Sequence, residues 1–168
     1  MTPEDKIVEA HFPFIRPYRR EDRGGVVATV MAGYADLNYT MDFEAFDRDL
    51  EDIERSYRDT GGAFWVLEDH GEIVGCIGIT PAEIETCELH RLYLRRAFRG
   101  HGWGHRLLET ALAWARGAGF RRATLWSDIL FERARDLYEK SGFTPTEKTR
   151  VIDPVNPTSV ERFFWRDL

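Results

Sequence analysis

Apolar residues recur at two different periods along this chain, and the change of period divides it. Val26, Val27, Val30 and Met31 fall at helical spacing, which predicts a helix through Tyr34 with Asp22 as its cap. The pair Gly24-Gly25 in its first turn weakens that helix. A second helix is predicted behind Asp42, because Phe43, Phe46, Leu50, Ile53 and Tyr57 make one stripe. Its opposite face, with Asp47, Asp49, Glu51, Asp52 and Glu54, reads as a solvated acidic surface. Ahead of both, Phe12 to Arg16 predicts a short strand, confined to a sheet edge by Pro13 and Pro17.

Beyond Gly62 the period shortens. Ala63 to Glu68 and Glu72 to Thr80 flank Asp69-His70-Gly71 as a hairpin, and a third strand runs from about Thr86 to Leu94. A glycine-rich turn, Arg99 to Gly104, then opens a helix with Leu107, Leu108, Ala111, Leu112 and Ala115, closed by Gly117 and Gly119. Arg121 to Ser127 predicts a strand and Phe131 to Lys140 a helix stopped by Ser141-Gly142. Two strands follow, from Phe143 onward and from Val160 to Trp165. Hairpins followed by one strand–helix–strand crossover imply an α/β fold, a mixed sheet with helices on both faces. With no repeat, low-complexity tract or linker, residues 1–168 read as a single domain.

Composition narrows the class of partner. The net charge is −6, which opposes a dedicated duplex nucleic-acid binder, because such a protein needs a basic face to displace counterions. At 43% hydrophobic and 13% aromatic the chain can bury a core, so it is not disordered. Its two cysteines, Cys76 and Cys87, make no disulfide framework, and read as reduced thiols. The stretch MTPEDKIVEAHFPF lacks the apolar segment of a signal peptide, and no run approaches the ~20 residues of a membrane span. These features predict a cytoplasmic, soluble protein without a membrane partner. The arginines between Arg91 and Arg122 and the carboxylates between Asp42 and Asp59 divide the charge into an anion-holding half and an amine-attracting half.

Strand, glycine turn and helix start together present unpaired backbone N–H groups at the positive end of a helix dipole, a site for phosphate or pyrophosphate. A nucleotide-binding P-loop would require Gly-Lys-Ser/Thr, but His105-Arg106 follow Gly104. A dinucleotide fingerprint would require its third glycine where His105 stands.

Arg99-Gly100-His101-Gly102-Trp103-Gly104 has instead the pattern Arg-x-x-Gly-x-Gly. With the preceding ELHRLYLRRAF it resembles the acetyl-CoA motif of the GNAT superfamily of N-acetyltransferases. Ala134 to Phe143 resembles the same family's Ala-x-x-Leu-Tyr-x-x-x-Gly-Phe segment, and the likeness covers about Glu88 to Phe143. The resemblance implies splayed strands with pantetheine inserted between them, paired with backbone groups of Leu92, Tyr93 and Leu94. It implies that the amides of Gly100, His101, Gly102, Trp103, Gly104 and His105 hold the pyrophosphate and that an amide near Leu92 polarises the thioester carbonyl. Arg95, Arg96, Arg99 and Arg106 then form a cationic rim able to screen the phosphates of acetyl-CoA.

The same resemblance makes Tyr138 the acid that protonates the departing CoA thiolate, which a phenol of ordinary pKa ~10 can do at neutral pH. Glu88 stands where the histone-acetylating branch carries its catalytic base, with Asp128 or a water chain as competitors. Strand alternation places Glu88, His90, Leu92 and Leu94 on one face. Two positions depart from the family. Phe131 replaces an asparagine that binds pantetheine, and Trp126 stands where ribosomal-type N-terminal acetylases carry a glutamate. His101 and His105 match no metal-ligand spacing, and no metal is predicted. Glu161 in the tail is a candidate to face the acceptor. The implied activity is acetyl transfer from acetyl-CoA to a primary amine of a small molecule by direct attack in a ternary complex. Protein or peptide acetylation is one alternative and a non-catalytic acyl-CoA-binding module another. A homodimer through the last strands is a further expectation of such folds.

Overall fold

In the computed structural model, which describes residues 12–151 and 153–168, the period-two stretches become one mixed sheet of seven strands. The strands are β1 (Phe14–Pro17), β2 (Ala63–Asp69), β3 (Glu72–Glu83), β4 (Thr86–Leu94), β5 (Arg122–Asp128), β6 (Thr144–Arg150) and β7 (Glu161–Asp167). Their spatial order is β1-β2-β3-β4-β5-β7-β6, with the proline-flanked β1 at one edge as its sequence requires. Only the β4–β5 pairing is parallel, and helix α2 (Trp103–Gly117) makes its crossover. Residues 1–11, which carry most of the stretch read for targeting signals, lie outside the described residues.

The two faces of the sheet bury separate cores. On one face, Leu107, Leu108, Ala111 and Leu112 of α2 pack on Leu89, Leu125 and Phe164. On the other, Val26, Val30 and Tyr34 of α1 (Arg23–Ala35) join Leu50, Ile53 and Tyr57 over Phe64, Val66 and Cys76. Helix α3 (Glu132–Lys140) contributes Tyr138 to the α2 side. The β2–β3 turn uses His70 and Gly71 at φ of 49° and 81°, the left-handed pair a tight hairpin of this hand demands.

Three expectations need correction. Met31 points outward, half exposed, because the stripe of α1 that meets the sheet runs through Val26, Val30 and Gly33 instead. Gly25 and Gly33 of α1 are contact residues, while the space beside Gly24 is open. A Cβ on Gly25 would lie 2.7 Å from the side chain of Ile73, and one on Gly33 would lie 2.6 Å from the Tyr93 ring. The Tyr93 ring is partly buried and packed edge-on against Tyr34 and Phe131, so Gly33→Ala is expected to cost about 1–3 kcal/mol, read as a lower urea midpoint at unchanged slope. Asp22 does not cap α1. Its carboxylate accepts from the Arg16 guanidinium at 2.7 and 2.8 Å and from the Arg19 N–H at 2.7 Å.

The predicted second helix is broken. Asp42 does cap a turn, accepting from the N–H groups of Glu44 and Ala45, but only a 3₁₀ turn at Arg48–Leu50 and a widened turn at Glu54–Arg58 follow. The reason lies in Asp47 and Asp49, which both turn inward to Arg91. Two positions apart on a regular helix they would point about 200° away from each other, so no continuous helix can aim both at one guanidinium. The acidic face read as solvated therefore contributes its Asp47 to the interior, where it is 0% exposed.

Candidate active site

Pairing between β4 and β5 runs from Thr86–Arg122 to Leu89–Leu125 and ends there, although both strands continue. Beyond that point β5 keeps pairing with β7, and the opening between the strands becomes a cleft of about 1570 Å³. The expected splay is therefore present. Glu88, Leu92, Tyr93, Leu94 and Tyr138 all line it.

A bulge in β4 decides which side chains face which side. Cys76 pairs with Tyr93 and Gly78 with His90, so Arg91 and Leu92 together oppose Ile77. The extra residue reverses the alternation. Arg91 and Tyr93 face the α1 side, while Leu92 and Leu94 join the α2 core. The expected single face of Glu88, His90, Leu92 and Leu94 does not exist, since the parity argument fails across a bulge. Arg91 itself adopts φ 56°, uncommon for a long side chain.

The glycine turn has the backbone that its sequence suggests, for a partly different reason. Gly100 and Gly102 sit at φ 79° and 85°, where an L side chain is strained, yet the space beside both is open. Gly104 serves packing, since a Cβ there would stand 3.2 Å from Leu137 and 3.5 Å from Leu94. The first backbone bond of α2 runs from the Arg106 N–H to the Gly102 carbonyl, and no side chain caps the helix start. The N–H groups of Trp103, Gly104 and His105 thus have no helical carbonyl in reach, and they head a dipole. Gly100, Gly102, Gly104 and His105 line the cleft, whereas His101 and Trp103 do not. The Trp103 ring instead carries the Arg106 guanidinium at 4.4 Å.

A model of the Acetyltransferase (GNAT) family matches residues 15–143. The chain belongs to the GNAT family of acetyltransferases. It is 32% identical over 136 residues to the uncharacterized N-acetyltransferase YjgM of Escherichia coli, covering 78% of this chain and 81% of that protein. It is 34% identical over 122 residues to N-acetyltransferase 8 of Rattus norvegicus, covering 69% of this chain but only 54% of the rat protein. The fold is that of a Staphylococcus aureus GNAT acetyltransferase (TM-score 0.80, 24% identity, 94% of this chain and 99% of that one). An acetyltransferase from Streptococcus agalactiae superposes similarly, with TM-score 0.81 at 22% identity over 93% of this chain and 98% of that one. As a GNAT protein the chain is an acyltransferase with a seven-stranded mixed sheet.

Within this GNAT site, Glu88 and Tyr138 have contrasting surroundings. Burial, partly offset by Arg150, raises the Glu88 pKa from its ordinary value, and Glu161 adds to the rise. Its carboxylate forms no hydrogen bond or ion pair with another described residue. Tyr138 is 8% exposed, edge-on to Phe143, and burial pushes its phenol well up, so the hydroxyl stays protonated at neutral pH. Asp128, the competing base, already accepts from the hydroxyls of Tyr39 and Ser159 and from the Leu130 N–H, each at 2.8 Å. It braces the chain leading into β7.

The rim arginines are more occupied than their sequence suggests. Arg99 donates to the Leu94 carbonyl at 2.9 Å and to Asp36 at 2.7 Å, and Arg96 joins the same Asp36. Arg91 lies on the opposite side of β4 from the glycine turn's helix, and Arg122 pairs with Asp167 at the far end of β5. The division into an anion-holding and an amine-attracting half consequently dissolves, because Asp47 and Asp49 neutralise Arg91 inside the protein.

Phe131 lines the cleft and packs edge-on against Tyr93 at 6.1 Å, so an aromatic contact replaces the family's amide. Trp126 carries Arg150 at 4.2 Å, and Arg150 in turn holds Glu161, which also lines the cleft. Sequence reading missed Arg150, Tyr39 and the Arg91 cluster, since none lies in a motif and their partners are distant along the chain. His90 is also part of the wall. Burial lowers its pKa to about 4, so its ring is neutral, 2.8 Å from the Thr80 hydroxyl. The cysteines are buried, and burial pushes their thiols up to about 12 for Cys76 and about 11 for Cys87, which makes both poor nucleophiles. Among the described residues no cluster is suited to a metal and no helix is long and apolar enough to cross a membrane.

Proposed function

We propose that this protein transfers the acetyl group of acetyl-CoA to a primary amine of a small molecule by direct attack in a ternary complex. The observation that carries the reading is one cleft, opened by the parting of β4 and β5, that joins an amide-lined helix start to a free carboxylate and a protonated phenol. The residues present fit acetyl-CoA. The unpaired backbone between Gly100 and His105 suits the pyrophosphate, and the strand edge at Leu92, Tyr93 and Leu94, unpaired toward β5, suits the pantetheine amides. When bound, acetyl-CoA supplies the activated thioester. Glu88 takes the proton that the amine loses, Tyr138 donates one to the CoA sulfur, and an amide at the β4 bulge polarises the carbonyl.

The acceptor end of the cleft is framed by Phe46, Trp126, Arg150 and Glu161, a mixed aromatic and charged wall. An amine panel assayed with acetyl-CoA, with released CoA thiol as readout, tests the proposal. Release with small amines is the expected result. Release only with lysine-containing peptides would move the function to protein acetylation, and tight CoA binding without release would make the chain a binding module.

Glu88→Gln gives a second, directional test. A base works only when deprotonated, so the wild-type rate rises with pH through the raised Glu88 pKa, and the Gln variant loses this acidic limb along with most of its activity. Stability moves the other way. Because the folded pKa exceeds the unfolded one, the folded state binds more protons, and the wild-type protein loses stability as pH rises across that interval. The neutral Gln avoids this loss, so its melting temperature at pH 8 is expected to exceed that of the wild type.

A further inference from the structure

The β4 bulge is held by a buried polar cluster to which nothing above gives a catalytic meaning. Arg91 is its centre, with its side chain 10% exposed. Its guanidinium donates to both oxygens of Asp49, to Asp47 Oδ1 at 2.9 Å, to the Tyr34 hydroxyl at 3.1 Å and to the Phe46 carbonyl at 3.2 Å. Tyr34 donates to Asp47 at 2.6 Å, Asp47 also accepts from the Asp42 N–H, and Tyr57 donates to Asp49. The Arg91 carbonyl accepts from the Cys76 thiol at 3.2 Å. Every fork of the guanidinium is therefore engaged, and the residue that carries it is the one held at φ 56° within the bulge.

Two consequences meet at this residue. An arginine in left-handed conformation stands about 1–2 kcal/mol above its relaxed backbone, so the surroundings must hold it there, and the bidentate pair with Asp49 does so. The next residue, Leu92, lies beyond the last β4–β5 pair and lines the opening, so the bulge sets its place. The partners of Arg91 also come from residues 42–57, the segment whose Phe46 lines the acceptor end. One side chain thus fastens the acceptor wall to the strand beside the thioester.

We propose that Arg91 is a positioning residue, which fixes the β4 bulge and sets its backbone amides against the acetyl carbonyl while holding the acceptor wall in register. The inference rests on the acetyl-transfer reading. Arg91→Lys keeps the charge and loses the fork, so it separates position from electrostatics. The expected result is a fall in kcat of tenfold or more, with affinity for adenosine 3′-phosphate 5′-diphosphate, the part of CoA that lacks the pantetheine arm and sits at the glycine turn, within twofold of wild type. The infrared carbonyl stretch of bound ¹³C-labelled acetyl-CoA supplies a readout independent of turnover. The wild type shifts it to lower wavenumber relative to free acetyl-CoA, and Arg91→Lys loses most of that shift. If Arg91→Lys does not fold, the isosteric Asp49→Asn is read in the same two ways, with the same losses expected. An unchanged carbonyl stretch with kcat within twofold would overturn the proposal, as would a parallel loss of kcat and of affinity for that pantetheine-free fragment, which marks a merely structural role. If the wild-type protein acetylates no amine, the acetyl-transfer reading fails, while the carbonyl shift still decides for or against Arg91.

Discussion

Tyr138→Phe is expected to lower kcat by about 10²-fold or more, at nearly unchanged affinity for acetyl-CoA, measured by steady-state kinetics and calorimetric titration. The ring of Tyr138 packs against Phe143 at 6.0 Å and Phe164 at 5.9 Å, and Phe preserves both contacts. Only the hydroxyl is lost. Its burial holds the phenol protonated across the neutral range, as an acid that delivers a proton to a departing thiolate requires. The alternative acids in the cleft are less suited: His90 is neutral, with its pKa lowered to about 4, and the Asp128 carboxylate already accepts three hydrogen bonds. Normal turnover in the Phe variant would transfer the role to another group or to solvent. A matching loss of acetyl-CoA affinity would instead mark the ring as a binding contact.

Gly102→Glu is expected to abolish CoA binding in a protein that still folds. At φ 85° any side chain costs about 1–2 kcal/mol of backbone strain, but nothing lies within 4 Å of the new Cβ, so no core contact is broken. The added carboxylate stands at the helix start proposed to hold the pyrophosphate, and like charges exclude each other there. Gly102→Ala separates the two effects. It carries the strain without the charge and is expected to weaken CoA by roughly tenfold or less, since 1.4 kcal/mol corresponds to a factor of ten. Calorimetric titration reads the affinity and thermal melting the fold. CoA affinity unchanged in the Glu variant would remove the phosphate from this turn.

Where function depends on contiguous backbone, the sequence is informative. The turn from Arg99 to Gly104 and the segment from Ala134 to Phe143 carry their conformational demands locally, in glycines at positive φ and in a helix start without a cap. Their order along the chain, with one helix and one strand between, suffices to identify the GNAT family. The strands and α2 were equally legible, because each pairs a clear period with a turn signal at its end.

Side chains that meet across the fold follow a different rule. Asp47 and Asp49 look like solvated charges on a helix face, and only their distance to Arg91, 42 residues and more along the chain, shows otherwise. The alternation through Glu88, His90, Leu92 and Leu94 breaks because β4 inserts Arg91 opposite β3, and a bulge without a glycine leaves no mark in the sequence. Neighbours along the chain are enough to show the order of the strands, the glycine turn before α2 and the acid and base candidates. The tertiary structure decided which charges are solvated, which face of β4 each residue takes and how the acceptor wall is anchored. Those outcomes depend on burial and on partners that only folding brings within 3 Å of one another.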